Sequence, residues 1–210
     1  MRVRKIEKRP QGRKNFFLVD ACFLANRYIP RLKAPKGRER DRIDLCVDWW
    51  DEINSQLEKH DARVYIPDIC IAETFKVLAK KYYTEKWFTS AVQLNNARNR
   101  LRKDITVPPK TLRSFKRIIN FHDVPTSRDI IISVDRFYER FLKLGKNVSL
   151  PDLILLATGK YLMDFFDIEK DHLHIVTLDK RLREGSKKLQ ELPNAYDPTE
   201  NSDTVEKIFR

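Results

Sequence analysis

The stretch His174-Ile175-Val176-Thr177-Leu178-Asp179 decides the fold. From His174 to Leu178 it is short, rich in β-branched residues and ended by a charge, which is how a strand inside a parallel sheet reads. Directly behind it, Lys180 to Leu189 reads as a basic helix. The same succession of strand, carboxylate and helix stands near the other end of the chain. There Phe16-Phe17-Leu18-Val19 stops at Asp20, and Ala21 to Ile29 begins a helix that Pro30 ends. Between these two, Val64-Tyr65-Ile66 reads as a strand closed by Pro67, with Asp68 as the expected cap of a helix to about Tyr83. Ile43, Cys46, Val47, Trp50, Ile53 and Leu57 keep helical spacing to about His60. Helices are also expected over Trp87–Arg102, from Thr126 or Ser127 to near Gly145, and from Pro151 to Phe166. Arg117 to Phe121 fits a short strand or a helix end.

Strands alternating with helices imply an α/β sandwich with a mainly parallel central sheet, where ligands bind beyond the carboxyl ends of the strands. Asp20 and Asp179 both stand at such ends. The organisation expected is a basic arm over residues 1–14, a domain over 15–192 with insertions near 31–42 and 87–110, and a loop-like tail over 193–210. Asp203 and Glu206 offer that tail a capping box for a last short helix.

At 210 residues with 41% apolar composition the chain can bury a sizeable core. No apolar run approaches the roughly 18 residues of a membrane span, and the basic N-terminus has no apolar segment behind it, so a cytoplasmic protein is expected. Three cysteines make no disulfide framework. Cys22, Cys46 and Cys70 are expected as small buried residues, and no Cys or His spacing suits zinc.

Four acids carry the chemical interest. Asp20 read alone is a helix cap, as is Asp179, and Ser149-Leu-Pro-Asp152 is a capping arrangement favoured by the helix dipole. Glu73 adjoins an apolar helix face, where it needs either a cation or a lysine such as Lys76 or Lys80. Thr177, two residues before Asp179 on an extended strand, would share its side and orient a carboxylate.

Taken in order, four segments resemble the PIN-domain nuclease family: Phe17-Leu-Val-Asp20-Ala-Cys22, Ile66-Pro-Asp-Ile-Cys-Ile-Ala-Glu73-Thr, Ser149-Leu-Pro-Asp152-Leu-Ile-Leu-Leu-Ala157 and Ile175-Val-Thr177-Leu-Asp179-Lys-Arg-Leu182. The family commonly has Asn or Ser where this chain has Cys22. The separations between the first three acids exceed those of compact toxin-type members, so the chain resembles an elaborated relative. The resemblance implies a three-layer α/β/α sandwich with Asp20, Glu73, Asp152 and Asp179 around one pocket, binding Mg²⁺ or Mn²⁺. Asp20 and Asp152 would be the primary metal ligands. Glu73 would complete the site or position the attacking water, and Asp179 and Thr177 would act directly or through water. The activity implied is hydrolysis of RNA phosphodiester bonds. A PIN-like scaffold that grips RNA without cutting, and a toxin-type nuclease held by a partner, are the alternatives.

A formal charge of +12 gives a polyanion a reason to approach. Arg31 to Arg42 holds six basic residues against two acids. Lys180, Arg181 and Arg183 adjoin Asp179, and Arg113, Lys116 and Arg117 form another group. These two groups are the expected nucleic-acid contacts, for single-stranded or looped RNA. The preference for RNA follows from the resemblance, because the Gly-rich helix-hairpin-helix of DNA-cutting relatives has no counterpart here. A homodimer or a regulatory protein partner is compatible with this reading.

Overall fold

In the computed structural model, residues 14–105, 121–200 and 208–209 are described. The arm apart from Lys14, the group Arg113, Lys116 and Arg117, and the Asp203/Glu206 capping box lie outside the described residues.

Five strands form one sheet: β1 Asn15–Val19, β2 Ala62–Pro67, β3 Phe121–Val124, β4 Leu173–Val176 and β5 Asn194–Tyr196. Their order is β3-β2-β1-β4-β5, and every pairing is parallel. β1 is central, with Phe17 beside Val64 on one side and His174 on the other. Phe17, Leu18, Val19, Ile175 and Val176 are fully buried, because helices cover both faces of a parallel sheet and leave no solvated side to alternate with. Even His174 is buried here, with Nε2 against Asn15 Oδ1 at 3.1 Å.

The helices are α1 Ala21–Asn26, α2 Arg38–Glu58, α3 Asp68–Tyr83, α4 Ala91–Ile105, α5 Arg128–Lys143, α6 Leu150–Phe166 and α7 Lys180–Lys188. The chain builds outward through β1, β2 and β3, then returns to place β4 on the far side of β1. The order therefore reverses between β1 and β4, and such a switch point opens a crevice at the carboxyl ends of the two strands. Asp20 and the loop Thr177–Asp179 follow those two strands. Among the described residues no helix is long and apolar enough to cross a membrane.

Several boundaries differ from expectation. α2 starts at Arg38, so most of the expected loop over 31–42 is a 3-10 turn, Arg31–Lys33, and the first helical turn. That turn contains no apolar residue to show periodicity. Glu39 and Asp41 favour the helix start, and Arg40 donates to the carbonyls of Leu32 and Ala34. Asp68 is the first helical residue rather than the cap, and Pro67 precedes it without a side-chain cap bond. On α3 the buried stripe is Cys70, Thr74 and Leu78, while Ala72 is exposed. Lys86 at φ 59 breaks the chain before Trp87, so α4 begins at Ala91. The tail is not all loop: Asn194–Tyr196, flanked by Pro193 and Pro198, pairs with β4 as the edge strand. Ser127 caps α5, its hydroxyl accepting from Ile130 N.

Candidate active site

The four acids meet. Asp20, Glu73, Asp152 and Asp179 line one cleft of about 250 Å³ at the switch point, with Cys22, Cys70, Arg42, Pro151, Leu155 and Leu178.

Asp20 is the most constrained. It closes β1, its backbone N–H donating to Val176 O across the sheet at 3.1 Å. Oδ1 accepts from Phe23 N at 2.6 Å, which caps α1. Oδ2 accepts from Thr177 Oγ1 at 2.5 Å and from Leu178 N at 3.3 Å. The residue is only 8% exposed. Burial, with the Asp152 charge adding to it, pushes its carboxyl up to about 6 despite three opposing hydrogen bonds. Each carboxylate oxygen has two lone-pair directions, so Oδ1 keeps one beyond the Phe23 bond.

Thr177 is fully buried and is not among the residues lining this cleft. Its hydroxyl donates to Asp20 and accepts from Asp179 N at 3.0 Å. It therefore orients the Asp20 carboxylate and the Asp179 backbone rather than sharing a face with the Asp179 carboxylate. The physical reason is that β4 ends at Val176, so Thr177 no longer follows the strand alternation.

Asp152 accepts at Oδ2 from Ser149 Oγ at 2.6 Å and from Ser149 N at 3.3 Å, completing a capping box at the start of α6. Burial raises its pKa, and the Asp179 charge raises it further against the Ser149 bonds. Asp179 caps α7, its Oδ1 accepting from Arg181 N and Leu182 N at 2.7 and 2.9 Å. Glu73 is half-buried on α3. Its pKa is raised first by burial and then by Asp152, with Lys76 opposing. Lys80 is engaged with Glu85 instead. Asp152 is thus the charge that Asp20 and Glu73 both feel, and it in turn feels Asp179. Negative charge accumulates in the cleft, with Arg42 on its wall and Lys76 offsetting Glu73.

Hard oxygen donors of this kind suit Mg²⁺ or Mn²⁺. Among the described residues, however, no three Asp, Glu, His or Cys side chains come together as a ready cage. The two observations agree for a cation that keeps most of its waters and takes one or two carboxylates directly, which is the habit of Mg²⁺. The donor set fits the ion.

Two expectations about neighbours are corrected. Cys22 is exposed to the cleft rather than buried, although burial, with Asp20 second, still pushes its thiol up to about 12. Arg183 is buried, with Nη1 on Asp197 Oδ2 at 2.8 Å and Nη2 on Glu200 Oε1 at 2.7 Å. It ties α7 to the chain after β5 and presents nothing to a ligand. Lys180 and Arg181 remain exposed beside Asp179. Sequence reasoning counted Arg42 only in the basic cluster of the insertion near 31–42 and not as a cleft residue. Its signal was spacing: it lies four and eight residues before Cys46 and Trp50, on the stripe that α2 buries.

No family model matches the chain, and no curated protein does. By structure it is similar to FitAB bound to an IR36 DNA fragment, at 13% identity and TM-score 0.52, over 89% of this chain and 97% of that one. It is also similar to VapBC2 from Rickettsia felis bound to a DNA fragment from their promoter, at 10% identity and TM-score 0.50, over 87% and 98%. At such identities the likeness is one of fold.

Proposed function

From the premise that the fold is PIN-like, as the likeness to those two structures supports, we propose that this chain is a divalent-metal-dependent endoribonuclease acting on cytoplasmic RNA. One observation carries the reading. A buried aspartate held by three donors and pushed up to about 6 opens onto a cleft with three more acids. Structural carboxylates are normally paired with cations, whereas these are set against one another at the place where an open parallel sheet binds ligands.

Asp20 and Asp152 would hold Mg²⁺ or Mn²⁺, with Glu73 and Asp179 completing the site through water. When bound, the cation lowers the pKa of water and stabilises charge on the attacked phosphate and leaving oxygen. The chain's own part is orientation. Thr177, Phe23 N and Leu178 N hold Asp20, and Ser149 holds Asp152, so neither carboxylate has to reorganise as charge develops. Glu73, with its raised pKa and no helix to cap, is placed to receive a proton from the attacking water. Lys180 and Arg181 draw the phosphate backbone towards Asp179.

A scaffold that binds RNA without cutting is the second reading, favoured by the lack of a three-ligand cluster among the described residues. Cleavage of labelled single-stranded RNA in Mn²⁺, with and without EDTA, separates the two. We expect wild type to cleave and Asp152→Asn to bind RNA but lose most turnover. Cleavage that persists in EDTA, or an Asp152→Asn protein as active as wild type, defeats the proposal.

A further inference from the structure

Four carboxylates around one cleft repel the phosphodiester they would act on, so the chain has to hold the strand against them. Arg42 is the basic side chain on the cleft wall. It also borders a second hollow of about 460 Å³, with Arg38, Glu39, Asp41, Leu45 and Thr199. Its side chain is therefore the wall between two neighbouring cavities. The helix that carries it is anchored, since Ile43 and Cys46 are buried and Asn26 Nδ2 reaches Cys46 Sγ at 3.3 Å, joining α1 to α2. The Cys22 and Cys46 thiols both feel the Arg42 charge, which puts the guanidinium at the α1–α2 side of the cleft.

Three neighbouring arginines are committed elsewhere. Arg27 is held by Asp104 and Asn54, Arg31 by Asp44 and Asp48, and Arg40 by backbone carbonyls. Arg42 has a looser partner: Nη1 stands 3.9 Å from Glu39 Oε1, with the two side chains 40% and 44% exposed. An exposed pair at that distance holds its partners weakly. A planar guanidinium matches a phosphate with two parallel hydrogen bonds, which would readily displace it.

We infer that Arg42 holds a phosphate of the bound RNA strand, so that the strand leaves the carboxylate cleft over Arg42 towards Arg38. Glu39 and Asp41 on the same turn limit the negative charge the second hollow accepts, which weights the phosphate contact towards Arg42 at the cleft wall. This inference rests on the ribonuclease reading of the same cleft and assigns it a direction for the substrate.

The test is anisotropy of a labelled single-stranded RNA about ten nucleotides long, in EDTA so that nothing is cut. A companion set of RNAs each carries one neutral methylphosphonate linkage. Arg42→Gln should weaken binding about tenfold at low salt and flatten the salt dependence by about 0.7 in log–log slope. Arg42→Lys should fall between, having charge without the fork. The decisive readout is the linkage scan: one methylphosphonate that weakens wild type should have no further effect in Arg42→Gln. Wild-type affinity in Arg42→Gln, while Lys180→Gln with Arg181→Gln weakens binding, overturns the role of Arg42 and leaves the ribonuclease reading standing. A weakened Arg42→Gln that keeps every linkage penalty also overturns it, because the effect is then structural. If wild type holds no RNA at any salt, both readings fall together.

Discussion

Replacing Thr177 with valine removes one hydroxyl from a fully buried position with little change of shape. That hydroxyl donates to Asp20 Oδ2 at 2.5 Å and accepts from Asp179 N at 3.0 Å. A hydrogen bond to a charged group contributes about 1.5–3 kcal/mol, and one pKa unit corresponds to about 1.4 kcal/mol. Losing the bond should therefore raise the Asp20 carboxyl by about 1–2 units from its present value of about 6. The sign for stability follows by linkage. Asp20 titrates higher folded than unfolded, so its protonated form favours the fold below about pH 4, and that advantage is lost as pH rises through 6. Valine should deepen the loss by about 1.5–3 kcal/mol, felt fully only above about pH 8, where Asp20 would be ionised in both proteins. The orphaned Asp179 N–H adds a cost at every pH, so the difference between pH 4.5 and pH 8 is the informative quantity. Carboxyl-detected ¹³C NMR titration of the metal-free protein, with denaturant melts at both pH values, measures both effects. Thr177→Ser, which keeps the hydroxyl, should titrate near wild type. An Asp20 titration that is unmoved or falls in Thr177→Val, or a stability loss equal at both pH values, would refute the linkage of these two residues.

Mn²⁺ should raise the thermal midpoint at pH 8 but much less at pH 5, where Asp20 is mostly protonated. At a hundred times its Kd the ion contributes about 2.7 kcal/mol, and equal shifts at both pH values would argue that it binds elsewhere. Arg183→Ala should cost about 3 kcal/mol in denaturant melts, because it takes the cation from the largely covered Asp197 carboxylate and leaves it only the Thr199 donors. Lys180→Gln and Arg181→Gln, on exposed side chains, should change stability by no more than about 0.5 kcal/mol while weakening RNA binding; the reverse ranking would contradict the assignment. Gly185→Ala puts a methyl 2.1 Å from Phe141 Cε1 inside a fully buried ring contact, so a loss of about 1–3 kcal/mol is expected. An unchanged melting temperature would mean that α7 packs otherwise against α5.

What could be read from the sequence had physical causes, as did what could not. β1 and β4 are buried on both faces, so Phe16–Val19 announces itself as an unbroken apolar run and Leu173–Val176 as one interrupted only by His174. Asp20 and Asp179 each cap a helix and Asp152 completes a capping box, and all three also line the cleft, so the capping reading and the cleft position coexist in the same side chains. Arg183 shows why charge alone misleads. Its partners lie 14 and 17 residues further on, in a segment read as tail, and only the pairing of β5 brings them back. β5 itself has three residues, too few for alternation to show. Arg42 escaped because its helix starts with a turn of charges, and Cys22 because a cysteine on a cleft wall looks like one in the core.

The hydrogen bond between Thr177 and Asp20 spans 157 positions of the chain. A polypeptide still leaving the ribosome, with only β1 and α3 made, carries Asp20 and Glu73 but has neither Asp152 nor the loop that clamps Asp20. Contacts of such long separation form late, after the closure entropy of the intervening loop has been met. On the proposed ribonuclease reading, the cleft is consequently assembled only after Asp152 and Thr177 have been made, so a nascent chain lacking them would carry no competent centre.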